Sequence, residues 1–445
     1  MFFSNKKLKT KLILMITKKE QIIEYFKSGI KNKKEFKIGI EHEKFLFDSQ
    51  NNKRIDYQKI KQMFSALLEF GWNPVLEKDN IIGLNKGGKN ITLEPGNQIE
   101  LSGDKLTNIH EACAESYDYL FELKQVTKKL NIKIVSAGFD PISKLNEIPN
   151  NPKKRYKLMT KDMPLGGELS LDMMYRTCGT QLNLDYCSEE DFKKKFKIVN
   201  SLVPISIALF ANSSIVEKKK SNYLSYRSKV WQNTSRGGLS KLFLEDFDFE
   251  KYSDFVINFP VLFIQQKENY FSGRGYNFSD FMSGNIKEIN NRLPDENDLS
   301  THLSTIFTEN RLKKYIELRS MDTCGWDCLC AGPAFNVGML YGNLDEVYEL
   351  ISSWDKDKII NAYLEAPQKG FNTQLMGKDL LYWSSVLLDL SKKGLEKRDI
   401  VNKSGKNETL FLNHLQKVID NKTTNAHHMI IKFSKDEDLT ELYDK

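Results

Sequence analysis

The sequence predicts an α+β fold, a mostly antiparallel sheet with helices packed on its outside. Three observations predict it. Strand-like runs are separated by long helical stretches, several of those runs pair like hairpins, and no low-complexity linker or internal repeat divides the chain. The whole of 1–445 is therefore read as a single domain, with 346–445 as its mostly helical C-terminal part.

The elements follow in order. Residues 18–30 carry Ile22, Ile23, Tyr25 and Phe26 on one side, which predicts a short amphipathic helix. "KIGIEHEKFLF" predicts a strand over 37–47, and 56–70 a helix ended by Gly71. In "DNIIGLNKGGKNITLEPGNQIELSG", Asp79 to Gly103, the central Gly87 and Gly88 are hairpin-turn chemistry. A phosphate loop at "KGGK" is disfavoured because no apolar helix starts directly after it. Ile109, Cys113, Leu120, Leu123 and Val126 support a helix from Leu106 to Leu130, and "IKIVSAGFDP" is a buried strand stopped by Pro141. "TQLNLDY", 180–186, alternates, with Gln181, Asn183 and Asp185 on one side. A long helix over 189–212 is interrupted near Pro204, "RLKKYIELRSMD" gives a strand over 311–322, and the chain from "FNVGMLYG" onward is mostly helical.

Composition excludes several classes. The excess of 66 Lys+Arg over 59 Asp+Glu is slight for 445 residues and scattered, so nucleic-acid binding is not expected. The abundance of Lys, Asn and Ile reads as a habit of the source genome. No segment approaches the roughly 20 apolar residues of a membrane span. Six cysteines in so long a chain are no secreted disulfide framework, and "CGWDCLC" lacks the second pair or histidines that structural zinc needs, so reduced thiols in a cytoplasmic protein are expected. The basic N-terminus has only a short apolar run, Leu12 to Ile16, and no cleavage site; it is not a signal peptide. Residues 1–17 are read as disordered or mis-started, with Met15 as the candidate true start.

The chemistry lies in acids that share strand faces. Residues i and i+2 of a strand point to one side, so Glu41 and Glu43 lie together. Glu94 and Glu100 share parity with Gln98, although "EPG" interrupts that strand, and Glu317 shares a face with Tyr315 and Arg319. Gln181 and Asn183 add neutral hydrogen-bonding groups on a fourth strand. Five carboxylates on one concave surface repel unless hard cations neutralise them. Mg²⁺ takes oxygen ligands and bridges carboxylates to phosphates, which suits phosphoryl transfer assisted by an arginine. An ordinary solvated acidic face remains the alternative. His42 alternates away from the glutamates as a packed residue, His427 and His428 read as surface, and His110 and His302 lack ligand spacing.

"IGIEHEKFLF", "DNIIGLNKGGKNITLEPGNQIELSG", "LDMMYRTCGTQLNLDY", "NYLSYRSKVW", "THLSTIFTENRLKKYIELRSMD" and "CAGPAFNVGMLY" occur in the order seen in one family. They resemble the glutamate–cysteine ligases (gamma-glutamylcysteine synthetases) of the plant and proteobacterial type, from about residue 36 to 345 and weakly on to "GLEKRD". The resemblance implies a glutamine-synthetase-like fold, a curved antiparallel sheet forming a funnel-shaped active site within one catalytic domain. It implies that ATP phosphorylates the side-chain carboxylate of L-glutamate and that the amine of L-cysteine attacks the γ-glutamyl phosphate, the first step of glutathione biosynthesis. A different amine acceptor, or a metal-dependent phosphohydrolase, stays as the alternative. The family's ligands for Mg²⁺ (or Mn²⁺) fall on Glu41, Glu43, Glu94, Glu100 and Glu317, the same five acids. Arg319 takes the place of an arginine near the transferring phosphate, with Glu317 beside it. Gln181 and Asn183 match strand positions lining the substrate site, and Arg227 and Arg176 are the candidates for a substrate carboxylate. The implied partners are small molecules, with no nucleic acid or membrane, and the assembly is a monomer or homodimer.

The sequence also departs from the pattern. The loop "QNTSRGG" is shorter than the family's and lacks the usual acids; the resemblance places Thr234 and Arg236 there as the nucleotide contacts. Plant members carry a thiol switch of paired cysteines; "NYFSGRGYNF" has no cysteine where one partner is expected, so Cys330 is expected to stand alone, reductant to leave activity unchanged, and Cys178 to be a buried strand residue.

Overall fold

The computed structural model describes residues 15–234, 236–433 and 438–443. Among them, nine strands form one sheet: β1 (Ile38–Asp48), β2 (Asn73–Glu77), β3 (Asn80–Lys86), β4 (Lys89–Leu93), β5 (Ile99–Ser102), β6 (Ile132–Val135), β7 (Gly179–Leu184), β8 (Asn310–Leu312) and β9 (Ile316–Asp322). The order is β8-β9-β7-β1-β5-β4-β3-β2, with β6 on the second half of β1, and every ladder is antiparallel. The sheet is open, with β8 and β2 at its edges.

β1 organises it. Ile38, Ile40, His42 and Lys44 are buried on one face, while Gly39, Glu41 and Glu43 turn to the other. Its first half lies between β5 and β7; its second half pairs Phe45 with Val135 through Asp48 with Ile132. The β3–β4 hairpin closes as expected: Lys86 faces Lys89, and Gly87 takes the positive φ (+63°) that the two-residue turn requires. Glycines matter less for space here than at the site described below.

Helices cover the buried face. Asn108 caps the helix Ile109–Lys129 through the Glu111 N–H, and Ile109 and Ala112 pack with Ile38 and Ile40. A second core lies between Ile60, Met63 and Phe64 of the helix Tyr57–Leu67 and Leu84, Ile91 and Leu101 of the hairpins. The largest core runs from Ile16 to Ile419, so Tyr363 and Leu395 of the C-terminal helices Lys356–Lys369 and Leu380–Arg398 bury against the same cluster as Ile38 and Leu184. Each such side chain contributes about 1.5–3 kcal/mol on full burial.

Several expectations change. The strand over 311–322 is a hairpin, β8 and β9, closed by the Lys313 N–H on the Tyr315 carbonyl (2.8 Å). Period-two alternation passes through this turn without a break, so parity does not register the reversal. The strand expected up to Pro141 ends at Val135, because Ser136, Gly138 and Asp140 donate to the Tyr443, Asn212 and Arg176 carbonyls instead of to a ladder. The helix over 189–212 is two, Glu189–Ser201 and Val203–Leu209, with Pro204 in the first turn of the second. Residues 1–14 of the expected N-terminal segment lie outside the described residues, but Ile16 is core, its N–H on the Pro294 carbonyl at 2.7 Å.

The thiols also differ from expectation. Cys330 is not alone: it forms a disulfide with Cys113, Cα–Cα 5.8 Å, and Cys324 forms one with Cys328, Cα–Cα 6.1 Å. The first joins residues 217 apart in sequence, a proximity created by packing of the helix Ile109–Lys129 and invisible to motif spacing. Cys178 is free and buried, as expected.

Candidate active site

The register of four strands assembles the acids. Glu43 lies directly across from Glu100, Glu41 lies between Ser102 and Gln181, and Glu317 lies across from Asn183. Opposed side chains on one face stand about 4.5–5.5 Å apart at Cβ, where like charges destabilise. The fifth acid comes from a loop. After β4 the chain turns through Glu94–Gln98, closed by the Glu94 N–H on the Gln98 carbonyl (2.9 Å) with Asn97 at φ +60°. Gly96 belongs there because a Cβ would lie 2.6 Å from the Tyr175 carbonyl oxygen. Glu41, Glu43, Glu94 and Glu100 thus line one cavity of about 300 Å³, with Gln181 and Arg319. Met159, Met174, Trp231, Phe263 and Phe307 supply its apolar lining.

These four acids make no ion pair with Lys or Arg among the described residues. Instead Asn183 donates to Glu41 (2.7 Å), the Gly179 N–H to Glu43 (2.5 Å) and Ser102 to Glu100 (2.9 Å). Burial and then Glu94 push the Glu43 carboxyl up to about 7. Burial, Glu41, Glu94 and Glu43 push Glu100 well above the usual carboxylate range. The neutral donors leave the mutual repulsion of these acids without an ion-paired cation among the described residues to offset it. Among the described residues, no three His, Cys, Asp or Glu side chains are already drawn together as a preformed ligand set.

Glu317 is different. It is fully buried and bound by Arg311 (2.7 and 2.9 Å), Lys313 (2.9 Å) and Arg319 (2.5 Å). Burial alone would raise its carboxyl, but the three cations hold it well below the usual range. A β-bulge between Leu318 and Met321 turns Arg319 toward Gln181, whose Oε1 accepts from its Nη1 at 2.5 Å. The Arg319 guanidinium also stands over the Trp231 ring, 5.3 Å from its centroid.

The remaining expected residues sit elsewhere. Arg227 lies behind the bulge, donating to the Arg319 carbonyl (2.8 Å) and facing Asp322 at 4.0 Å, with Nε and Nη1 buried and without a hydrogen-bond partner among the described residues; a Cβ on Gly179 would meet its Nη2 at 2.7 Å. Asn183 reaches the site through Glu41. Arg176 does not line the cavity: Asp172 (2.9 Å) and Glu217 (3.2 Å) pair with it over the Phe139 ring. Neither Thr234 nor Arg236 lines it. Thr234 is bonded to the Trp231 carbonyl, and Arg236 to Thr305 over the Phe259 ring. The residues that sequence reasoning missed are Arg155, Tyr156 and Arg311, all lining the cavity. Arg311 was legible, since it has the parity of Glu317; Arg155, on the helix Lys154–Asp162, left no such signal. His42 packs against Tyr119 as expected (5.4 Å), and His302 bonds the Val256 carbonyl (3.0 Å).

Comparison with known proteins identifies the family. Residues 37–445 match Glutamate-cysteine ligase family 2 (GCS2). The chain is 40% identical over 418 residues, 93% of its length, to 79% of the chloroplastic glutamate–cysteine ligase of Nicotiana tabacum. It is 38% identical over the same share to 79% of the Arabidopsis thaliana enzyme. The glutamate–cysteine ligase of Francisella tularensis, solved in complex with AMP, shares the fold: TM-score 0.53 at 14% identity, covering 93% of this chain and 88% of that one. The curated relatives are named as chloroplastic, which overturns the expectation of a cytoplasmic protein drawn from the reduced thiols and from the reading of no signal peptide or membrane span. Among the described residues no helix is long and apolar enough to cross a membrane. The chain belongs to glutamate–cysteine ligase family 2 and joins glutamate to cysteine, the first step of glutathione biosynthesis.

Proposed function

We propose that the cavity activates glutamate by phosphoryl transfer from ATP, and that the cysteine amine then displaces the phosphate. The observation that carries this reading is the set of four acids without ion-pair partners among the described residues, beside arginines on the same sheet face. Glu41, Glu43, Glu94 and Glu100 would hold Mg²⁺ or Mn²⁺, and Glu317 joins them only by giving up one of its three cations. When bound, a divalent cation offsets the charge of acids and phosphate oxygens.

The chain's own residues do the rest. Arg319, permanently charged and forked, binds two oxygens of the transferring group at once. Glu317 and Gln181 position it through one nitrogen, both accepting from Nη1, which leaves the rest of the fork for substrate. Arg155, whose buried Nε has no hydrogen-bond partner among the described residues, binds a substrate carboxylate within the cavity. Arg227 acts from behind, by holding the bulge. The apolar lining excludes water from the acyl phosphate, which would otherwise hydrolyse. In balance, a glutamate side-chain oxygen attacks the γ-phosphorus and ADP leaves. The cysteine nitrogen then attacks the acyl carbon, loses a proton, and inorganic phosphate departs.

The test is ADP release with ATP, Mg²⁺ and glutamate, with and without cysteine, alongside mass detection of the dipeptide. Release that needs both amino acids and yields γ-glutamylcysteine is expected. Release that ignores cysteine would redirect the reading to another amine, and release without glutamate to a phosphohydrolase.

A further inference from the structure

An arm of the chain, residues 151–156, grips the loop that carries Glu94. Lys153 Nζ donates to the Leu93 carbonyl (2.8 Å), the Tyr156 hydroxyl donates to the same oxygen (2.7 Å), and Asn151 donates to the Glu94 carbonyl (3.3 Å). Arg155 stands between these grips and lines the cavity. From the other side Arg54, paired with Asp140 at 3.0 Å, donates to the Gly96 carbonyl, and Gln98 accepts from the Gly96 N–H at 2.8 Å. The loop is held on both flanks, and only its cavity side is open.

Lys153 is the unusual member. It is 7% exposed and makes no ion pair among the described residues. Withdrawing an ammonium from water costs several kcal/mol, which one hydrogen bond to a carbonyl, about 1–3, and the Tyr156 ring 5.5 Å away offset only in part. A neutral side chain would fill the space more cheaply. The favourable charges near it are those of Glu94, Glu100 and Glu77; burial and Arg155 act against them. A buried amine, its proton held less tightly than in water because burial and then Arg155 outweigh Glu94, Glu100 and Glu77, thus stands where the backbone of an acidic loop meets the arm of a cavity-lining arginine.

We propose that Lys153 is a positioning residue that locks the Arg155 arm to the Glu94 loop, so that a divalent-cation ligand and a substrate-binding cation are held at one separation. This rests on the reading above of Glu94 as a cation ligand and Arg155 as a substrate contact. Lys153 itself touches neither cation nor substrate. Its effect passes through Glu94 and Arg155 together, which no purely local role would do.

The test uses Mn²⁺ alone, titrated into the full chain without nucleotide and followed by electron paramagnetic resonance, beside steady-state kinetics. Lys153→Met should weaken Mn²⁺ binding about tenfold and raise KM for glutamate by a similar factor, with a smaller loss in kcat. Lys153→Arg should recover most of both. In a Glu94→Gln background, Lys153→Met should leave the residual Mn²⁺ affinity unchanged, because the two substitutions act on one contact. Should Lys153→Met fail to fold, Lys153→Arg and Lys153→Gln carry the same measurements. A change in KM for glutamate with Mn²⁺ affinity intact overturns the proposal, as do losses that simply add in the double variant. A wild-type chain that binds no Mn²⁺ refutes the cation-ligand reading itself, and the role of Lys153 falls with it.

Discussion

Glu43 and Glu317 lie on the same sheet face, yet replacing each by glutamine should move stability in opposite directions. The folded protein holds the Glu43 proton up to about 7, against an ordinary 4.5. At about 1.36 kcal/mol per pH unit, that difference makes the ionised carboxylate cost the metal-free fold about 3 kcal/mol. The sign follows from linkage. A group whose pKa is raised by folding gives stability that is complete below the unfolded value and is lost as pH rises to the folded one. Glu43→Gln should therefore match the wild type near pH 4 and exceed it by up to about 3 kcal/mol at pH 8. Glu317→Gln does the reverse, because it strands Arg311, Lys313 and Arg319 without their shared counter-ion. Breaking a buried pair from one side costs about 3–5 kcal/mol. Urea unfolding of metal-free protein at pH 4, 6 and 8 measures both, and both variants should lose ligation. Added Mg²⁺ should stabilise the wild type at pH 8 and do far less for Glu43→Gln. A Glu43→Gln variant less stable than the wild type at pH 8 would refute the account of an unpaired acid cluster.

Other outcomes test separate parts of the structure. Arg319→Lys should cut kcat by about 10²–10³-fold, since an ammonium cannot reproduce the fork; unimpaired turnover would remove Arg319 from the mechanism. Arg155→Met should raise KM for glutamate while leaving Mn²⁺ binding nearly intact, and an unchanged KM would place the substrate carboxylate elsewhere. Reductant should lower the thermal midpoint, because opening the Cys113–Cys330 link frees a 217-residue separation, worth up to about 5 kcal/mol by chain entropy; Cys113→Ser should mimic it, and a midpoint indifferent to both would mean that the link contributes nothing. Burial holds the His302 imidazole down to about 3 from 6.5. The unfolded chain therefore takes up the proton first, and stability is lost as pH falls from 6.5 toward 3. His302→Gln should flatten that acid limb of the urea profile, and an unaltered limb would assign it to other groups.

Local chemistry made much of this legible in the sequence. Alternation placed Glu41 and Glu43 on one face of β1, with His42 and Lys44 on the other, because strand geometry fixes that relation whatever the partner strand. Gly87 marked the β3–β4 turn for the same kind of reason: the positive φ is a property of the turn itself. Parity also put Glu317, Arg319 and the overlooked Arg311 together, since a three-residue turn preserves the alternation across the hairpin. What the sequence could not supply was how the strands meet. The facing of Glu43 and Glu100, the tilt of Arg319 at its bulge, and the three cations on Glu317 are facts of register between segments far apart in the chain. Arg176, Thr234 and Arg236 were sound candidates by residue type, but each found a nearer partner than the cavity. Cys113 and Cys330 met only because a helix laid across the sheet carries one to the other. Sequence determined which groups each strand presents to one side; tertiary packing decided which of them stand opposite one another, because ion pairing and repulsion depend on separations of a few ångströms that periodicity along a single chain does not encode.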